Sequence, residues 1–180
     1  MKFIPHPYQQ YAIDRVVSDP VVGLFLEPGL GKTVITLTAI KELKFNRWQV
    51  MRPLVVAPKK VAEATWAAEA EKWDHLKGLR VIPILGTEKQ RVNALYAPGD
   101  IWVINRENLV WLADYLRNNW DFDMVVLDES TSFKNARSKR FMALKRVRAY
   151  IKRLVELTGT PSPNGMEDLY AQVYLLDGGA

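Results

Sequence analysis

The sequence has 180 residues, 48% of them hydrophobic, and its 25 basic and 20 acidic side chains give a formal net charge of +5. It contains no cysteine and two histidines, which excludes disulfides, cysteine-ligated zinc and thiol catalysis, and disfavours a histidine-built metal site. No apolar run approaches the ~20 residues that span a bilayer, and no signal peptide is evident, so we expect a cytoplasmic protein without membrane association.

The first predicted element is a helix near the amino end. Pro7 suits a first helical turn, and Tyr8, Ala12 and Val16 recur at intervals of four to form one apolar face. On this helix Gln9 carries a primary amide that could pair with the donor and acceptor edge of adenine. A surface glutamine is the alternative for Gln9 taken by itself.

A turn that contains glycine follows the next apolar run. Residues 21–25 predict a buried strand, and the stretch Leu26-Glu27-Pro28-Gly29-Leu30-Gly31-Lys32-Thr33 then opens into a buried helix. Glycines let backbone N–H groups converge on a phosphate, while a lysine reaches the outer phosphates and a hydroxyl coordinates magnesium. The usual phosphate-loop pattern has glycine where Leu26 stands. A helix start with a surface lysine is therefore the alternative.

The next predicted strand, residues 53–58, is short, apolar and bounded by prolines, which is typical of a strand buried on both faces. Lys59 and Lys60 follow it in a strand-to-helix loop, where ligands collect in open parallel sheets. These two lysines are candidates for phosphate contact, and plain solvation is the alternative.

Apolar stripes and capping residues predict the helices that follow. In a helix over residues 61–74, Trp66 and Trp73 lie on a core stripe, so they are predicted to pack rather than to stack on bases. Thr87 and Asn108 are predicted to cap two more helices. The strands that precede those helices are predicted at residues 80–85 and 100–105.

Two acidic residues follow another apolar run. Residues 124–127 are apolar and predict a strand that places Asp128 and Glu129 at its carboxyl end. There one carboxylate can hold a magnesium ion and the next can position or deprotonate an attacking water. Paired with the upstream glycine-lysine-threonine, the two acids form a pattern typical of nucleotide hydrolysis.

The basic charge is concentrated in one segment. From Lys134 to Arg153 there are nine basic residues and no acid, and the rest of the chain is slightly negative. Such a cluster can neutralise nucleic-acid phosphates, with Lys145, Arg146 and Arg148 as the representative candidates. A solvated helix face is an equally weighted alternative.

A last strand is predicted over residues 153–158. It ends in the polar turn Thr158-Gly159-Thr160-Pro161, where Thr158 and Thr160 are placed to donate hydroxyls beside the acidic pair. A final helix is predicted at residues 166–176. Six strands alternating with helices predict one α/β domain, a mostly parallel sheet covered on both faces.

This ordered series resembles the glutamine motif and motifs I, Ia, II and III of superfamily-two helicases, most closely the Snf-type branch of DNA translocases. Lys134-Asn135 after the acidic pair and Asn164 after the last motif are also typical of that branch, which tolerates Leu26 in its phosphate loop. The compact connectors are more similar to phage or bacterial members. The motifs that carry the resemblance are Pro7-Tyr8-Gln9, Leu26 to Thr33, Val55 to Pro58, Val126 to Glu129, and Leu157 to Pro161.

The resemblance implies a RecA-like phosphate-loop NTPase domain that uses ATP and Mg²⁺, in a bacterial or phage-infected cytoplasm. It implies that Gln9 recognises adenine and that Thr33 and Asp128 hold the metal. Glu129 would activate water, and the lysine pair after motif Ia would touch a DNA strand backbone. The phosphate-binding set would be Pro28, Gly29, Leu30, Gly31, Lys32 and Thr33, and the residues that couple nucleotide state to DNA would be Thr158, Gly159 and Thr160.

Two departures qualify the resemblance. Motif II often continues with a histidine, and Thr131 stands in that place. The chain also stops after motif III, whereas such enzymes have a second RecA-like lobe that supplies arginine fingers worth ~10³–10⁵ in rate. We therefore expect a poor ATPase whose partners are duplex DNA and that lobe, in the same or a neighbouring polypeptide. A non-enzymatic ATP- or DNA-binding module is the main alternative, and a small kinase a weaker one.

Overall fold

A computed structural model describes residues 1–129 and 137–159 of the chain. Its six strands form a single sheet in which every pairing is parallel, in the order β1-β6-β5-β2-β4-β3. This confirms the predicted α/β class. The strands are β1 (Val21–Phe25), β2 (Pro53–Ala57), β3 (Val81–Ile84), β4 (Ile101–Asn105), β5 (Met124–Asp128) and β6 (Arg153–Thr158).

A helix follows or precedes each strand, as a parallel sheet requires for its crossovers. The helices are α1 (Pro7–Ser18), α2 (Lys32–Lys41), α3 (Trp66–Lys72), α4 (Glu88–Tyr96), α5 (Leu109–Leu116) and α6 (Lys139–Val147). Single π-helical turns extend α2 at Glu42–Asn46 and precede α3 at Val61–Thr65. Among the described residues, no helix is long and apolar enough to cross a bilayer.

The sheet separates two hydrophobic layers. Helices α1, α2 and α3 pack on one side, the front face, and α4, α5 and α6 on the other, the back face. Alternate residues of each strand point to opposite layers, so that on β2 Val55 joins the front layer and Val56 the back. Strands β2 and β4 are buried along their whole length, which explains why both read as continuous apolar runs rather than alternating ones.

The strand order decides which loops meet. Strands β1, β6 and β5 are neighbours, so their carboxyl ends lie side by side at one edge of the sheet. The phosphate-loop candidate follows β1, Thr158 ends β6 and Asp128 ends β5. Residues far apart in sequence therefore converge on one site.

The two predicted helix caps have different outcomes. Thr87 caps α4 as expected, because its hydroxyl accepts the Gln90 N–H at 3.3 Å and the Gln90 side chain completes the capping box. Asn108 holds the N-cap position of α5, as predicted, without the capping hydrogen bond. Its side chain makes no cap bond and instead donates to Asn105 Oδ1 at 2.7 Å, because a 3₁₀ turn at Arg106–Asn108 precedes α5.

Several predictions fall on residues 130–136 and 160–180, outside the described part of the chain. They include Thr160 of the last turn, Thr131 and Lys134-Asn135 after the acidic pair, and the helix over residues 166–176.

Candidate nucleotide-binding site

The glycine turn between β1 and α2 has the backbone shape of an anion-binding loop. Gly29 and Gly31 both have φ of +86°, in the left-handed region that favours glycine. Gly31 directly precedes α2, whose first residue is Lys32. A Cβ added to Gly31 would lie 2.7 Å from Gln9 Nε2 and 3.2 Å from Val34 Cγ1. Position 31 therefore requires glycine for both conformation and space.

Two side chains of α1 hold this loop through one carbonyl group. Tyr8 Oη and Gln9 Nε2 donate to Leu30 O at 3.0 and 3.3 Å. Gln9 Oε1 accepts the His6 N–H at 2.9 Å, which fixes the orientation of the amide at the start of α1. Because an amide has two donors and two lone pairs, Gln9 keeps capacity for an adenine edge while it braces the loop.

A cleft of about 600 Å³ opens beside the loop, between the amino-terminal segment and α3. Its size is in the range of sites that enclose a small molecule. The cleft brings together most of the predicted nucleotide contacts with the aromatic rings of Phe3 and Trp73, which meet edge to face at 5.2 Å. The predicted residues in its lining are Gln9, Gly29, Gly31, Lys32 and Thr33.

Lys32 points into its own loop. Its Nζ donates to Leu26 O at 2.6 Å, so the ammonium group lies inside the turn where a phosphate would be held. The half-buried ammonium and the N-terminus of α2 make this concavity favourable for negative charge. The loop thus fits a nucleotide phosphate in shape and in charge.

The end of β6 is bonded to the same loop. Leu26 N donates to Thr158 O at 3.1 Å, and a Cβ added to Gly159 would lie 3.2 Å from Pro28 Cδ. Thr158 is buried. A change in the conformation of the phosphate loop would therefore act directly on Thr158 and Gly159.

The acidic pair lies two strands away from β1, at the same edge. Asp128 Oδ2 accepts the indole N–H of Trp66 at 3.1 Å. Burial raises the pKa of Asp128, and the Glu129 charge acts in the same direction, whereas the Trp66 bond and the Lys32 charge lower it. A carboxyl group that loses hydration in this way gains from a nearby cation, so Asp128 fits a role in holding Mg²⁺.

Glu129 differs from Asp128 in exposure and backbone. Its side chain is exposed and its φ of 57° lies in the left-handed region, which costs a non-glycine residue roughly 1–2 kcal/mol. Strained backbone of this kind is found most often at functional sites.

The predicted nucleic-acid contacts lie apart from this cleft. Lys59 and Lys60 are exposed just after the carboxyl end of β2. Arg146 forms an ion pair with Asp114 of α5 at 2.8 Å, and half-buried Arg148 donates to Ile151 O at 3.0 Å. Exposed Lys145 and Arg146 lie on α6 and Arg148 directly follows that helix, so all three predicted contacts belong to the back face.

Two residues that contact the site, Tyr8 and Trp66, were not predicted from the sequence to do so. Tyr8 was assigned only to the apolar face of α1, and Trp66 only to a core stripe. Trp66 is 1% exposed, which confirms the packing prediction, but its indole N–H reaches the acidic pair. Helical spacing predicts which side of a helix is buried and says nothing of the partner of a polar atom on a buried ring.

The chain is similar in sequence to proteins of a known family. The model of the SNF2-related domain matches residues 18–179. A protein named "Putative protein p41" from Acyrthosiphon pisum secondary endosymbiont phage 1 is 40% identical over 183 residues, covering 98% of this chain and 40% of that protein. Helicase SWR1 of Cryptococcus neoformans var. neoformans serotype D (strain B-3501A) is 30% identical over 180 residues, covering 94% of this chain and 14% of that protein.

Among solved structures, the fold is similar to the Sulfolobus solfataricus SWI2/SNF2 ATPase core in complex with dsDNA, with a TM-score of 0.83 and 25% sequence identity. That match covers 99% of this chain and 37% of the other. The chain thus spans no more than 40% of the length of any of these three proteins.

Proposed function

The chain belongs to the SNF2-related domain family, and on that premise we propose that it is the ATP-binding lobe of an ATP-dependent DNA helicase or translocase. The observation that carries the proposal is the convergence of the carboxyl ends of β1, β6 and β5 at one edge of the sheet. The glycine turn after β1 is bonded to the end of β6, and β6 pairs directly with β5, which ends in Asp128. This arrangement supports the binding of a nucleoside triphosphate together with a divalent cation.

Each residue of the site has a role that its surroundings support. The backbone of Gly29 to Gly31 and the Lys32 ammonium would bind the phosphates, and Thr33 and Asp128 would hold Mg²⁺, which when bound neutralises charge on the phosphoryl group. Gln9 would recognise adenine while bonded to Leu30 O. Exposed Glu129 would orient and deprotonate the attacking water.

Thr158 and Gly159 would couple the state of the bound nucleotide to the contacts with DNA. Their contacts with Leu26 and Pro28 place them against the phosphate loop. We propose the same role for Thr160, which follows them in sequence. Duplex DNA is the proposed track, because the structural neighbour is an ATPase core in complex with dsDNA.

A second RecA-like lobe is part of the proposal. The proteins that this chain matches are at least twice as long as it is. Since an arginine finger supplied by a second lobe contributes about 10³–10⁵ in rate, the chain by itself is expected to bind ATP and to hydrolyse it slowly.

Glu129→Gln separates binding from hydrolysis. The substitution removes the proposed base and keeps the size of the side chain, so ATP affinity should persist while DNA-stimulated hydrolysis falls by at least about 10²-fold. The measurement is ATP binding by calorimetry and phosphate release with duplex DNA, in the polypeptide that joins this chain to a second lobe. Turnover equal to that of the unaltered protein would remove Glu129 from this role. ATP binding without any DNA-stimulated turnover in the unaltered protein would favour a binding module instead.

A further inference from the structure

Trp66 makes a contact that packing alone does not require. Its ring lies in the front layer, 1% exposed, and its Nε1 donates to Asp128 Oδ2 at 3.1 Å. Indole has one polar hydrogen and accepts nothing, so this bond uses the whole hydrogen-bonding capacity of the side chain. The partner is the carboxylate proposed to hold Mg²⁺.

The topology brings the two residues together. Strands β2 and β5 are parallel neighbours, with Val56 paired to Leu127, so both end at the same level of the sheet. The chain leaves β2, makes one π-helical turn and enters α3 at Trp66, on the front face. Asp128 is the last residue of β5, one position beyond Leu127.

The chemistry of the contact restrains the carboxylate. A hydrogen bond to a charged acceptor is roughly twice as strong as one between neutral groups, and it is stronger still where water is excluded. The donor belongs to a buried ring that cannot follow if Asp128 rotates, so the bond restrains the orientation of the carboxylate. The lone pairs left over are presented in a defined direction, to a cation or to its water.

We propose that Trp66 is a positioning residue that orients Asp128 toward the Mg²⁺ of a bound nucleotide. The inference rests on the proposed function of the site. Partners of this kind, behind the residues that hold a metal, typically change metal affinity by about 10- to 100-fold when they are removed.

Trp66→Phe tests the inference, because it keeps a buried aromatic ring and removes the N–H group. The measurement is the affinity of the chain for a fluorescent, non-hydrolysable ATP analogue as Mg²⁺ is titrated. We expect the Mg²⁺ concentration for half-maximal tightening to rise about 10- to 100-fold, with unchanged analogue affinity in EDTA. A merely structural role would weaken analogue binding equally with and without Mg²⁺, and that result would overturn the inference.

Trp120→Phe is the matched control. Trp120 is 4% exposed in the back layer, and its indole N–H donates to Phe122 O at 2.9 Å. Its loss should leave the Mg²⁺ dependence unchanged. In an Asp128→Asn background, adding Trp66→Phe should produce no further shift in Mg²⁺ dependence. An equal additional shift there would show that Trp66 acts by another route and would overturn the proposal.

A second measurement covers a Trp66→Phe chain that does not fold. This measurement is NMR of the indole N–H resonance of Trp66 in a chain that keeps Trp66. The resonance can be assigned by substituting the other five tryptophans in turn. Its chemical shift should change on Asp128→Asn, and also when Mg²⁺ is added to the chain with bound analogue. A resonance that ignores both changes would contradict the proposal. If the unaltered chain binds no analogue at any Mg²⁺ concentration, the proposed function fails, whereas normal binding with an unchanged Trp66→Phe response defeats this inference alone.

Discussion

The two faces of the sheet differ in the partners of the carboxyl groups that β5 and β6 direct towards them. On the front face, Asp128 of β5 accepts the indole N–H of Trp66, and Gln9 at the same site is bonded to Leu30 O. On the back face, β6 buries Glu156 completely, and neither of its carboxylate oxygens has a hydrogen-bond partner in the described part of the chain. Burial raises the pKa of Glu156 to about 8, against a smaller opposing effect of the Arg148 charge.

This contrast shows that the hydrogen bonds of the front face hold the residues of the nucleotide site in position. On the front face the pairs hold a loop and a carboxylate in position, so their value lies in geometry as much as in stability. A buried carboxyl group without a partner stabilises nothing and destabilises the folded state whenever it is charged. The back face therefore combines a packed hydrophobic layer with one buried carboxyl group that has no hydrogen-bond partner among the described residues. The cationic side chains of α6 lie on its outer surface.

The largest change in stability is expected from Glu156→Gln, which tests the contrast between the two faces directly. Because the folded-state pKa is raised above the ordinary 4.5, the folded chain holds a proton that the unfolded chain has released. Between about pH 4.5 and about pH 8, Glu156 therefore lowers the free energy of unfolding as pH rises, by up to roughly 1.4 kcal/mol per pH unit. The variant should lose this dependence and gain a few kcal/mol at pH 8 relative to the unaltered chain, measured by urea denaturation across that range.

Glu63→Gln, on the exposed turn before α3, controls for the loss of one negative charge. Parallel stability curves for the unaltered chain and Glu156→Gln would show that Glu156 is charged and accommodated on the back face, and the contrast between the faces would disappear.

A smaller effect is expected at the outer surface of α6. Lys145→Glu should weaken duplex DNA binding a few-fold at low salt and reduce the slope of log affinity against log salt, because each phosphate contact contributes about 0.9 to that slope. Lys77→Glu is the matched control, since Lys77 is an exposed lysine on the connection between α3 and β3. Fluorescence anisotropy between 50 and 200 mM salt measures both. Equal responses of the two variants would identify α6 as a solvated surface.

Much of the fold could be predicted from the sequence because its signals are local. The short apolar run at residues 53–57, bounded by prolines, forms a buried strand as predicted, and the glycine turn before Lys32 leads into a helix as predicted. The order of the strands is not local, and it was not predicted. The predicted class, a mostly parallel sheet in an α/β domain, is confirmed by the all-parallel sheet and the family match.

What could not be predicted depends on contacts between distant segments. The partner of the Trp66 indole is 62 residues away, and helical spacing carries no information about it. Asn108 has the composition of a cap, but the 3₁₀ turn before α5 gives its side chain a nearer partner in Asn105. Glu156 lies between the apolar residues of β6, and nothing in the sequence indicated that its side chain would be completely buried.

The most direct test of the ATP-binding assignment is calorimetric titration of the chain with Mg²⁺-ATP, before and after Lys32→Ala. The account predicts binding of one nucleotide by the unaltered chain and a loss of at least about 10²-fold in affinity in the variant, because the phosphate loop loses its charged group. Thermal unfolding without nucleotide should show that the variant remains folded. Equal ATP affinity in the two folded chains, or no binding by the unaltered chain, would contradict the assignment.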